Sequence, residues 1–239
     1  MGKIAEARAK RLATPPTARR QDTAEKLRET AAQIIAEEGM AQISVQRICR
    51  RAGFTRGAFY SSYRDLDHIL QAIVDNRLTQ LENILSRAEQ EVVFHSPPHN
   101  QDEAEARLME AAERISCALP LTRDFYLLQE ELNLYGARHE IIGKLMSSYE
   151  ERLAQHIAQV VDHSLMDSGY RLNMPSHMLG HYVLAFAERL YRRLLLQHHH
   201  DQSVTRASIA VAVRGSIPMF LKMISVYDGP VAPAVEKSV

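Results

Sequence analysis

The densest run of residues able to do chemistry lies between Ser44 and Asp65. Ser44 and Thr55 stand where two short helices would begin, and there a hydroxyl, free backbone amides and the positive dipole end suit a phosphate. Gly57 removes a side chain near the start of the second of these helices, so that backbone can approach backbone. Arg56 can reach a guanine edge or a phosphate, and Ala58 is small enough to touch a thymine methyl. Tyr60, Ser62 and Arg64 can donate to phosphates, and Gln46 and Ser61 complete the polar set. This is chemistry of duplex DNA rather than of catalysis. No carboxylate pair, nucleophile–base arrangement or phosphate loop stands out anywhere in the 239 residues.

The elements that must position these groups read as helices. Leu27, Ala31, Ile34 and Ile35 recur at three- and four-residue intervals, which predicts a helix from about Arg20 that Glu37-Glu38-Gly39 ends. Ser44 caps a short second helix with Ile48 and Ala52 facing inward, and Gly53 stops it. Thr55 caps a third helix carrying Phe59 and Tyr63 on one side. Two short helices joined at Gly53-Phe54 are a helix-turn-helix, whose second member enters the major groove. A fourth helix runs from near Asp65 towards Val93, and a proline-containing loop spans 94–101. Further helices are expected at about 102–118, 121–137, 139–167, 176–198 and 203–225, the last kinked by Pro218. Alternating β-branched runs are scarce, so the fold class is all-α.

The run Ala52-Gly53-Phe54-Thr55-Arg56-Gly57-Ala58-Phe59-Tyr60, with Tyr63 and Arg64 after it, resembles the signature of the TetR family of bacterial regulators over about residues 20–75. The resemblance implies a three-helix DNA-binding domain followed by a helical ligand-binding and dimerisation domain. It further implies a homodimer on a bent pseudo-palindromic operator, released by a small-molecule effector. The chain departs from the family at Ser62, where a His is common, at Tyr63 in place of Phe, and at Leu66 in place of a Lys. Cys49, often Ala in the family, reads as a small buried apolar residue.

Charge agrees with such a division. Formal net charge is zero, yet residues 1–70 carry 13 Lys/Arg against 8 Asp/Glu, which leaves 16 against 21 for the rest. The expected organisation is a flexible basic arm at 1–18, the helix-turn-helix domain at 19–66, the helical domain at 67–228 and a loose tail at 229–239. Lys3, Arg8, Lys10, Arg11, Arg19 and Arg20 are expected to precede the first helix. Two cysteines form no disulfide framework, and neither a secretory signal nor an uncharged run of membrane-spanning length is seen, so a cytoplasmic location without membrane partners is expected.

Within the helical domain, Phe125, Tyr126, Gln129, Glu130, Asn133, Met146 and Tyr149 mix aromatic, apolar and polar groups, and the family resemblance makes them the effector-lining set. Glu130 and the aromatic faces suggest a hydrophobic, cationic ligand, while Arg123, Asp124 and Glu131 read as surface. The last two helices are the expected dimer seam. One carries Leu184, Phe186, Leu190, Tyr191, Leu194 and Leu195; the other carries Ala207, Ala210, Ala212, Gly215 and Ser216, whose small side chains allow close approach. His177, His181 and His198-His199-His200 read as solvated rather than metal-binding, and no cofactor is expected. The competing readings are a ligand-independent regulator or activator with the same head, and an all-α enzyme.

Overall fold

The computed structural model describes residues 18–91, 98–197 and 204–229. The arm up to residue 17, the tail from 230 and the triple histidine at 198–200 lie outside the described residues. The described chain is almost wholly helical. In order it holds α1 (Ala18–Glu38), a 3-10 turn (Met40–Gln42), α2 (Val45–Ala52), α3 (Arg56–Ser62), α4 (Leu66–Glu91), α5 (Gln101–Ala118), α6 (Arg123–Gly136), α7 (Glu140–Asp167), β1 (Tyr170–Leu172), α8 (Ser176–Gln197), α9 (Arg206–Ile224) and β2 (Ser225–Tyr227). Because α1 already begins at Ala18, Arg19 and Arg20 lie within the first helix rather than before it.

The chain falls into two compact units, and the division runs inside α4 and α7. The first holds the described residues up to Arg77 together with Asp124–Tyr149. In it α1 packs against α2, α3 and the 3-10 turn, and α2 packs against α3. Leu27, Ala31, Ile34, Ile35, Ile48 and Phe59 are fully buried, with Tyr63 nearly so. Burial of each large apolar side chain contributes about 1.5–3 kcal/mol. In this unit α6 and α7 meet tightly. A Cβ on Gly143 would come within 2.6 Å of the Gly136 carbonyl oxygen, so only glycine fits at that contact.

The second unit holds Leu78–Arg123 and the described residues from Glu150 onward. One cluster joins Ala104 and Leu108 of α5, Ala158 and Leu165 of α7, Leu179 of α8, and Leu221 and Ile224 of α9, together with Tyr170. A second gathers Leu194, Ile209 and Val213. β1 and β2 pair antiparallel with Tyr170 opposite Tyr227. Three-residue strands are too short for alternation to be visible in a sequence, which is why the all-α reading passed over them. Among the described residues one helix, α9, is long and apolar enough by length and composition to cross a membrane. It nevertheless carries Arg214, whose guanidinium pairs with Glu113 of α5 at 2.6 Å.

Candidate functional site

The helix-turn-helix is built from local capping. Ser44 Oγ accepts the Arg47 amide and Thr55 Oγ1 accepts the Ala58 amide, each at 3.2 Å. Between the two helices Gly53 adopts the left-handed region (φ 75°, ψ 25°), a conformation that costs a side-chain-bearing residue energy. The turn then closes with the Phe54 amide on the Cys49 carbonyl. Cys49 is buried, and that burial pushes its thiol above the usual range, the opposite of a reactive cysteine.

Two ion-pair sets hold α2 to the end of α1. Arg47 pairs with Glu38, and Arg51 pairs with Glu37 and Glu38. These arginines are therefore turned back onto the protein. Arg50 and Arg56 are exposed and have no carboxylate partner among the described residues.

Aromatic packing fixes α3. Phe59 is fully buried and meets Tyr60 edge-on at 5.4 Å and Tyr63 at 5.8 Å. The Tyr63 hydroxyl donates to the Ala24 carbonyl of α1 at 2.8 Å, a bond the family's usual Phe could not make. Arg20 donates from α1 to the Ser61 carbonyl. After α3, the His68 amide donates to Asp65 Oδ1, and His68 Nδ1 accepts the Arg64 amide. Burial first, then Arg64, pulls the His68 imidazole below its ordinary value of 6.5, with Asp65 opposing.

Of the expected DNA-contacting residues, Ser44, Gln46, Thr55, Arg56, Gly57 and Arg64 are exposed, and Ala58 and Tyr60 are half-buried. Two hydroxyls are placed otherwise. Ser61 Oγ donates to the Ala58 carbonyl at 2.7 Å. Ser62 Oγ is buried without a hydrogen-bond partner among the described residues, because the last residue of α3 faces inward. The Ser61 proton is thus committed within α3, and the Ser62 hydroxyl is enclosed. Arg50, which the sequence reading did not single out, is exposed in the last turn of α2.

Residues 27–73 match the model of the family described as bacterial regulatory proteins, tetR family. The chain carries a TetR-family domain. A comparison with curated proteins finds no match. Among solved structures, the TetR-like architecture extends over most of the chain. A candidate TetR-family transcriptional regulator of Mesorhizobium loti superposes with a TM-score of 0.66 at 15% identity, covering 88% of this chain and 100% of that one. A TetR transcription regulator of Haloarcula marismortui gives 0.62 at 15%, covering 86% and 100%. A candidate transcriptional regulator of Saccharomonospora viridis in complex with choline gives 0.60 at 16%, covering 86% and 99%.

Next to the TetR-family domain, the same compact unit contains every expected effector residue, five on α6 and two on α7. Met146 and Tyr149 are buried, and Phe125, Tyr126, Gln129, Glu130 and Asn133 are half-buried. Three of them, Phe125, Gln129 and Tyr149, meet a residue the sequence reading missed. Arg77 of α4 is 6% exposed. Its Nη2 donates to the Phe125 carbonyl at 3.2 Å and to Gln129 Oε1 at 3.0 Å, and its guanidinium lies 3.8 Å over the Phe125 ring. Gln129 Nε2 in turn donates to Asn133 Oδ1 at 3.2 Å. Burial pulls the Arg77 pKa down, and interaction with Tyr149 pushes it up. A cation in the middle of an apolar helix pattern was the available signal.

Glu131, read as surface, is half-buried and accepts the Met40 amide at 2.8 Å. A carboxylate on α6 therefore caps the 3-10 turn that follows α1. In the second unit an open groove of about 780 Å³ is lined by Met109, Glu113 and Cys117 of α5 and Arg214 of α9, and none of the expected effector residues lines it. His177 is exposed, and His181 Nε2 faces Glu151 at 3.3 Å.

Proposed function

We propose that this chain is a sequence-specific DNA-binding transcriptional repressor that a small-molecule effector releases from a pseudo-palindromic operator. The observation that carries the reading is the N-terminal end of α3 within a TetR-family domain. Thr55, Arg56 and Gly57 are exposed there together, and Arg47 and Arg51 of α2 are held back on α1. The helix end is open to a major groove, with Arg56 available for a base edge or phosphate. The head is assigned to 19–66 and the ligand-binding and dimerisation body to 67–228. Ser44, Gln46, Thr55, Arg56, Gly57, Ala58, Tyr60 and Arg64 form the DNA set. The effector set is Phe125, Tyr126, Gln129, Glu130, Asn133, Met146 and Tyr149, to which Arg77 is added.

A two-fold operator calls for a second copy of the chain. The exposed apolar face of α9 supports that partner. Val211, Met219 and Met223 are 72%, 72% and 62% exposed, and Ala207 and Gly215 fall on the same four-residue spacing. Such a stripe left in water marks an interface. Tyr191 and Leu194, by contrast, are buried within the protomer and serve its own core. On α8 the large apolar residues most exposed are Met178, Tyr182 and Leu196, and Leu184, Phe186, Leu190 and Leu195 are half-buried.

Selection of bound fragments from a random-sequence duplex pool, followed by gel-shift titration, tests the reading. A two-fold consensus is expected, and Arg56→Ala should weaken its binding by about 1–3 kcal/mol. Failure to enrich any sequence, or unchanged affinity in the variant, would reject the assignment of α3.

A further inference from the structure

We propose that Arg77 is the anchor for an anionic ligand group, a carboxylate on an otherwise apolar small molecule, held beside α6 and α7. The proposal rests on the effector reading above and supplies the charge of the effector.

The partners that Arg77 already has are all neutral. They are the Phe125 carbonyl, the Gln129 amide oxygen, the Phe125 ring face and the Tyr149 hydroxyl. Its Nε is buried and has no hydrogen-bond partner among the described residues. No carboxylate pairs with it among those residues either. Several described arginines with more exposure do have one: Arg107 with Glu103, Arg152 with Glu82, Arg171 with Asp228 and Arg214 with Glu113. Among the described residues the most buried guanidinium thus lacks a counter-charge, where exposed arginines without one, such as Arg50 and Arg56, keep the solvation of water. A guanidinium does not escape by losing its proton, and a buried charge with an unmade hydrogen bond is costly.

A carboxylate satisfies both deficits at once. It brings the missing negative charge and an acceptor for Nε–H in one charge-assisted hydrogen bond. Gln129 is itself held by Asn133, which steadies the acceptor side, and Nε–H is the donor left unmade. The buried side chains of Met146 and Tyr149 on α7 supply apolar and aromatic surface in the same unit. A cationic ligand, which Glu130 and the aromatic faces had suggested, would have to settle near an uncompensated buried cation.

Calorimetric titration of the full chain with decanoate and 4-phenylbutyrate, below micelle-forming concentration, tests the proposal against decanamide, 4-phenylbutanamide and decyltrimethylammonium. At least one carboxylate should bind about tenfold or more tightly than its amide. Arg77→Lys keeps the charge but loses Nε–H and the fork. It should cost that carboxylate about 10- to 100-fold in affinity while leaving its amide within about threefold. Arg77→Met should do at least as much where it folds, and Arg77→Lys carries the test where it does not. Binding of no carboxylate, equal binding of acid and amide, preference for the ammonium, or an unchanged carboxylate affinity in Arg77→Lys each overturns the proposal. Operator titrations run in parallel separate the two readings. A carboxylate that binds through Arg77 yet leaves operator affinity untouched keeps the anion site and removes the effector role. An amide or ammonium ligand that releases operator does the reverse.

Discussion

Gly57 separates the needs of the fold from those of a DNA surface. It lies in α3 without positive φ, and a Cβ there would meet only Thr55 Oγ1, at 3.6 Å. Nothing in the protomer requires a glycine, and helix propensity favours alanine by about 0.5–1 kcal/mol. Gly57→Ala should therefore raise or preserve the melting temperature while weakening operator binding; a variant that melts lower and binds normally would contradict the role. Tyr63→Phe should show the converse pattern. It deletes the bond to Ala24 and should cost about 1 kcal/mol of stability by thermal melting, with operator affinity per folded molecule retained. His68 adds a pH dependence. Its folded pKa lies below the unfolded value, so the neutral form is favoured on folding. That contribution is complete above about pH 6.5 and is lost as pH falls from there towards the folded pKa. His68→Asn should flatten the decline in melting temperature between about pH 7 and pH 5. At this scale the sequence was legible where a residue acts through its immediate neighbours, as at Ser44, Thr55 and Gly53. It was not legible at Ser62, whose inward turn depends on the packing of α3, nor at Arg47 and Arg51, whose partners lie nine to fourteen residues away.

Among the elements, α6 does two things. It carries most of the expected effector residues, and through Glu131 it holds the backbone amide that opens the 3-10 turn after α1. A ligand that shifts α6 would strain or break a charge-assisted hydrogen bond at the foot of the DNA-binding helices, within one compact unit. Glu131→Gln should keep the interaction in weaker form. Glu131→Ala should leave the Met40 amide unsatisfied and destabilise by about 1–3 kcal/mol. If this hydrogen bond transmits the signal, Glu131→Ala should also reduce the ratio of operator affinities measured with and without ligand; an unchanged ratio would show that coupling runs elsewhere. Helix existence and most ends were readable from periodicity and caps, since α5, α6 and α7 lie within two residues of expectation. The β1–β2 pair and the reach of Glu131 to Met40 were not, because both join residues far apart in the chain.

For the whole molecule, the strongest expectation is a dimer. A side chain at Gly215 meets nothing within 4 Å in the protomer, so Gly215→Trp should fold normally yet run as a monomer by light scattering at micromolar concentration. It should then bind a two-fold operator far more weakly than the absence of a single half-site explains. The basic arm is proposed to add affinity without specificity. Deleting residues 1–18 should lower the slope of log affinity against log salt by about one unit for each phosphate that the arm neutralises.

The four-residue spacing of Ala207, Val211, Gly215, Met219 and Met223 also has a geometric consequence. Ridges formed by every fourth residue lie oblique to a helix axis, and when two identical ridges interlock the helices cross at about −50°. Two such helices touch closely over only a turn or two and splay apart on either side. With Gly215 at the middle of the stripe, that position would face its own counterpart across the two-fold axis. Single cysteines placed along α9 in a chain lacking Cys49 and Cys117 would then crosslink readily at 215 and poorly at 207 and 223. Uniform crosslinking along the helix would instead describe two parallel rods.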